Sequence, residues 1–151
     1  MLVYPGSFKR TISDGVVVSD SSLAGQAWLR GPIILSWPDV AQSWIGHNVV
    51  VHELAHHLDG IDGDMSGDPI FDRAEDQAAW DRIAQQEFDR LTRDLASGKR
   101  TVLDPYGSSN RAEFFAVACE AFFEIPTELQ AEHPQLYGCL TRYFHSDPAS
   151  W

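Results

Sequence analysis

Apolar residues recur along this chain with two different periods, and the change between them separates a short front part from a longer rear part. In front, Val16-Val17-Val18-Ser19 follows the turn signal Asp14-Gly15, and Ile33-Ile34-Leu35 lies between Gly31-Pro32 and Trp37-Pro38. Short branched runs bounded by such breakers predict strands. Behind them the spacing turns helical. Val49, Val50, Val51, Leu54, Ala55 and Leu58 predict a buried helix, opened by Asn48 as N-cap and stopped by Gly60 just past Asp59. Residues 72–96 carry Ala84, Phe88, Leu91 and Leu95 at helical spacing with charges between them, and Gly98 follows as a stop. Residues 110–123 predict a strongly apolar helix in which any carboxylate requires a reason. Residues 127–132 and 134–144 read as closing helices with Leu136, Leu140 and Tyr143 or Phe144 inward. Strands followed by helices, without repeats, predict an α+β fold.

Composition narrows the class. With 151 residues, 44% of them hydrophobic, and 5 Trp, the chain has the means to build one packed domain over 1–151. A net charge of −11 opposes a nucleic-acid backbone and an anionic membrane surface alike, so neither direct nucleic-acid binding nor membrane association is expected. No stretch approaches the roughly 18 consecutive apolar residues of a membrane span. Met1-Leu2-Val3-Tyr4-Pro5 lacks a basic and then apolar leader, and the two cysteines, Cys119 and Cys139, make no disulfide framework. The expected location is cytoplasmic, with both thiols reduced.

Chemistry concentrates in His52-Glu53-Leu54-Ala55-His56. Four residues of helix advance about 400° and about 6 Å, so the two imidazoles project from one face and can close on one ion. Glu53 lies about 100° round from His52, poorly placed to be a ligand but well placed to take a proton from water. A catalytic zinc takes three protein ligands and leaves a position to water, and three residues compete to be the third. Asp62 lies six residues beyond His56, His47 five residues before His52, and Glu113 on the apolar helix, where it also forms a capping-box pattern with Asn110. Asp59 and Glu120 fall at spacings from which either could hold an imidazole N–H. Tyr106, after Asp104-Pro105, reads by itself as a loop tyrosine. The loop 62–68 carries oxygen-bearing side chains at alternate positions, with glycine where a calcium loop has it, but its twelfth position is Arg73, where a bidentate Glu is required.

VVVHELAHHLD at Val49–Asp59, GPIILSWPDV at 31–40 and RAEFFAVACEAFF at 111–123 together resemble the Mlc titration factor A family of zinc peptidases. Tyr4-Pro5-Gly6-Ser7-Phe8 and Ala24-Gly25-Gln26-Ala27-Trp28 fit it as well, so the resemblance runs from about Tyr4 to Phe144. It implies a zincin-like, gluzincin-type core with a small N-terminal β-sheet region followed by a mainly helical part. It also implies Zn2+ held by His52, His56 and Glu113, with Glu53 as the proton carrier. Tyr106, seven residues before Glu113, matches a tyrosine shared with the catalytic domain of anthrax lethal factor, and would stabilise charge on the attacked carbonyl. The implied activity is aminopeptidase-like hydrolysis of a short peptide substrate, which residues 31–36 could pair with as a sheet edge. The alternative implied role is a regulatory module that sequesters a transcriptional repressor, with weak or no catalysis. The resemblance further implies that members carry an additional N-terminal segment and that this chain is expected to correspond to their catalytic core.

Overall fold

In a computed structural model, residues 1–5, 25–26, 33–41 and 47–151 are described. Their strands are β1 (Leu2–Tyr4), β2 (Gly25–Gln26) and β3 (Ile34–Ser36). The helices are α1 (Trp37–Ala41), α2 (Val49–Asp59), α3 (Ala74–Ala96), α4 (Arg111–Glu124), α5 (Pro126–Glu132) and α6 (Pro134–Phe144). A small sheet ahead of a mainly helical part is compatible with the expected α+β class. The strand expected at 16–19 lies outside the described residues.

The sheet runs in the order β1-β3-β2, with β1 parallel and β2 antiparallel to β3. This corrects one expectation. Leu35 pairs with Val3 on one side and with Gly25 on the other, and Ile34 with Leu2 and Gln26, so the stretch reaching Ser36 is the centre of the sheet. Backbone groups already committed to two neighbours cannot bond an incoming peptide. The short helix α1, not anticipated from the pattern, follows β3 directly and carries Pro38 in its first turn, where a missing N–H costs nothing.

The helices form because their caps and apolar faces agree. Asn48 accepts hydrogen bonds from Val50 N and Val51 N at 3.1 and 3.3 Å and so opens α2. Helix α3 ends where Gly98 takes a positive φ of 72° and Lys99 N bonds back to Asp94 O. Helix α4 is the axis of the core: Phe114, Phe115, Phe122 and the residues between them are all buried. Trp80 of α3 meets Phe115 edge-on, and Phe122 faces Tyr137 and Phe144 of α6. The run 114–122, buried on every side, stays ordered because neighbours cover it, and α2, α3, α5 and α6 do so.

Two tight contacts bring the connecting segments onto this axis. Gly67 has φ +80°, and a Cβ there would lie 2.2 Å from the Arg111 carbonyl oxygen, so no other residue fits between the loop and the start of α4. The same loop is tied by Gly67 N donating to Asp59 Oδ2 and by Trp80 Nε1 donating to Gly67 O. On the other flank, Gly107 lets the 3-10 turn Pro105–Ser108 rest on Val117 and Leu91. That turn carries Tyr106.

Candidate metal centre

Helices α2 and α4 pack directly against each other, and their facing side chains form the centre. One helical turn separates His52 from His56, and their Nε2 atoms lie 3.1 Å apart. Glu113, in the first turn of α4, brings Oε2 to 3.0 Å from His52 Nε2 and 3.3 Å from His56 Nε2. Among the described residues, this is the one group of three or more His, Cys, Asp or Glu side chains that could hold a metal ion.

Of the three competitors for the third position, the fold therefore brings Glu113 to the imidazoles. Asp62 sits exposed in a 3-10 turn beyond α2, where its Oδ1 accepts from Asp64 N. His47 precedes α2 and has its Nδ1 3.6 Å from Glu120 Oε2. The capping-box reading of Glu113 is half realised. Asn110 caps the Glu113 N–H at 3.0 Å, but the Glu113 carboxylate goes to the histidines.

The supporting carboxylates separate just as clearly. Glu120, two turns along α4 from Glu113 and 1% exposed, accepts from His52 Nδ1 at 2.7 Å with one oxygen and from Asn48 N with the other. Asp59 is buried as well, but it holds the Gly67 loop rather than an imidazole, and its burial raises its pKa. His56 Nδ1 and Asp59 Oδ1 have no hydrogen-bond partner among the described residues. Asp62 and Asp64 of the acidic loop are exposed and Asp68 pairs with Arg111, so these residues do not converge as a calcium loop requires. His133, for which the sequence suggested no role, is buried against Glu87 at 2.7 Å.

Glu53 is buried on α2 beside the pair. The Tyr106 ring lies 6.0 Å from that of His52, and its phenol remains half exposed. Partial burial, with the negative charges of Glu113 and Glu53, raises the Tyr106 pKa and keeps the phenol protonated as a donor. Asp104 holds the turn by accepting from Tyr106 N at 2.8 Å.

The centre is electrostatically coupled. Burial by itself would lower the His52 pKa, but hydrogen bonds to Glu113 and Glu120 and their charges outweigh it and raise the value from 6.5 to about 9. Burial would raise Glu113, but the two imidazoles bring it from 4.5 down to about 2. For the chelator-treated chain the signs follow. A raised histidine pKa contributes stability that is complete below pH 6.5 and lost as pH climbs through about 9. A depressed carboxylate contributes above pH 4.5 and loses its share as pH falls through about 2. These are one interaction seen from both partners. Urea titrations should therefore place maximum stability between those two unfolded values, with a loss of at most about 3 kcal/mol towards the alkaline side. Saturating metal, which takes the place of the proton, should remove the alkaline loss.

Two imidazoles from α2 and a carboxylate from α4 form a group that could hold a metal ion, with a further glutamate beside them, an arrangement compatible with a metallopeptidase-like protein. The family model for glucose-regulated metallo-peptidase M90 matches residues 1–145, and the chain belongs to that family. An uncharacterized protein of Synechocystis sp. is 44% identical over 158 residues, covering 98% of this chain and 58% of its own length. Mlc titration factor A of Pectobacterium atrosepticum is 35% identical over 158 residues, with 98% and 59% covered. The Mlc titration factor A of Yersinia pestis is 36% identical over 159 residues, with 98% and 58% covered. The resemblance read from the three motifs is borne out, and the chain spans somewhat over half the length of these relatives. No described helix is long and apolar enough to cross a membrane.

Proposed function

We propose that this chain is a zinc peptidase whose metal is held by His52, His56 and Glu113. The observation that carries the reading is the triangle of donor atoms, with edges of 3.0, 3.1 and 3.3 Å. Ligands about 2.0–2.1 Å from a tetrahedral zinc lie roughly 3.3 Å from one another, so the three side chains fit the ion with little adjustment. Two nitrogens and one carboxylate oxygen are also the donor set of catalytic zinc, and three protein ligands leave one position for solvent. Zn2+ bound there supplies Lewis-acid chemistry, bringing the pKa of a water near 7 and polarising a carbonyl.

The chain's own residues then divide the work. Glu53 takes the proton that water loses as it attacks the amide carbonyl, and delivers it to the nitrogen as the C–N bond breaks. Tyr106 donates a hydrogen bond to the carbonyl oxygen as negative charge builds on it, a contact stronger in the transition state than before it. We take the substrate to be a short peptide cleaved from its amino end. The acidic balance of the chain, net −11, suits a cationic terminus. Two buried free cysteines support a reducing, cytoplasmic setting.

Peptide hydrolysis should fall to background after chelation and return on addition of one equivalent of zinc, and an N-acetylated peptide should be cleaved poorly. Hydrolysis unaffected by chelation would overturn the metal reading. A second reading has its own support in the name of the relatives, Mlc titration factor A. It makes the chain a module that sequesters a transcriptional repressor, with hydrolysis weak or absent.

A further inference from the structure

We infer that Glu120 is a positioning residue of this centre: it selects the tautomer of His52 and, through the same carboxylate, ties the start of α2 to α4. The inference rests on the metal reading of the His52, His56 and Glu113 cluster and extends it to a residue that touches neither metal nor substrate.

The placement of Glu120 calls for a reason. It is 1% exposed within the buried run 114–122, otherwise apolar, where an unpaired carboxylate would be strongly disfavoured. Its Oε1 accepts from His52 Nδ1 at 2.7 Å, and its Oε2 accepts from the backbone N–H of Asn48, with His47 Nδ1 further away at 3.6 Å. An ionised carboxylate only accepts. Neutral His52 must therefore carry its proton on Nδ1, which leaves the Nε2 lone pair directed at the point shared with His56 and Glu113. A ligand histidine held this way keeps both its ring orientation and its basicity. His56 has no such support, since its Nδ1 finds no acceptor among the described residues. The centre is thus braced from one side, through His52.

The second oxygen adds a mechanical link. Asn48 is the N-cap of α2, and its side-chain Nδ2 donates to Glu124 Oε1 at 2.7 Å, one turn beyond Glu120. Glu113, Glu120 and Glu124 thus lie on the side of α4 that faces α2. The first meets the ligand imidazoles, the second orients one of them, and the third, among the described residues, bonds the cap alone. Glu124 is therefore an internal control: it shares the anchoring of Asn48 but has no hydrogen bond to a ring among the described residues.

The test compares zinc affinity and melting temperature in the full chain, using a competing chelator, for wild type, Glu120→Gln and Glu124→Gln. Glutamine at 120 keeps the volume but sets an NH2 group against one of two donors. Zinc should bind roughly 10- to 100-fold more weakly in Glu120→Gln, and with unaltered affinity in Glu124→Gln. If both variants lower the melting temperature while zinc affinity stays at the wild-type value, Glu120 merely joins two helices and the inference fails. A second measurement needs no variant. Long-range 1H–15N spectra of the wild type, at a pH where the imidazoles are neutral, should show His52 protonated on Nδ1, and protonation on Nε2 would overturn the assignment. Should the wild type bind no zinc at all, the metal reading falls, while the tautomer still decides the role of Glu120.

Discussion

Glu113→Ala should purify with the same fold as the wild type and without zinc. Alanine keeps the backbone N–H that Asn110 caps at 3.0 Å, and it is a better helix former than glutamate, so the first turn of α4 is preserved. Lost is the oxygen that meets both imidazoles, at 3.0 and 3.3 Å. Apparent zinc binding energies of about 10–16 kcal/mol in four-ligand zinc-finger sites correspond to roughly 2.5–4 kcal/mol per ligand, or roughly two to three orders of magnitude in affinity. Metal content after dialysis, with chelator competition, measures this directly. Stoichiometric zinc retained by the variant would mean that the third ligand lies elsewhere, with Asp62 the residue to examine next. In the chelator-treated variant the alkaline loss of stability should be smaller than in the wild type but still present, because His52 keeps Glu120 as one of its two carboxylate partners.

Glu53→Gln separates the two functional readings. Glutamine has the shape of glutamate and makes no difference to the three donor atoms, so zinc should remain bound with wild-type stoichiometry. It cannot accept a proton from water or return one to a leaving amine. The loss of a positioned acid–base group costs roughly two to four orders of magnitude in rate, so kcat should fall by that amount with KM little altered. If the chain acts instead by sequestering a repressor, capture of that protein should be the same for wild type and variant. Unchanged peptide hydrolysis in Glu53→Gln would remove Glu53 from the chemistry and leave the buried carboxylate without the role given to it here. Because Glu53 is buried, the comparison of melting temperatures belongs with the kinetics.

How far each feature could be read before folding depends on the distance along the chain over which it is decided. The three long helices ended within a few residues of their predicted limits, because caps such as Asn48 and the positive-φ Gly98 act within one turn. Residues 134–144 form α6 with the predicted Leu136 and Leu140 buried. The short α1 was missed, since five residues beginning Trp-Pro give no measurable period. For β3 the apolar run was visible but its place in the sheet was not. Pairing with residues 2–4 and 25–26 is a long-range property, and it moved the stretch from expected edge to centre.

By itself the sequence determined the helical register of the centre: with His52 and His56 four residues apart on an apolar helix, α-helical geometry alone points both rings to one side. It also supplied three candidates for the third donor, and a family likeness that favoured Glu113. Only the tertiary structure brought Glu113 across 61 residues to the imidazoles, attached Glu120 to His52 across 68, and turned Asp59 to the Gly67 loop. The physical reason is that periodicity describes which way a side chain leaves its own helix. Which partner it meets is decided by the packing of α2 on α4, through contacts that no local window of sequence contains.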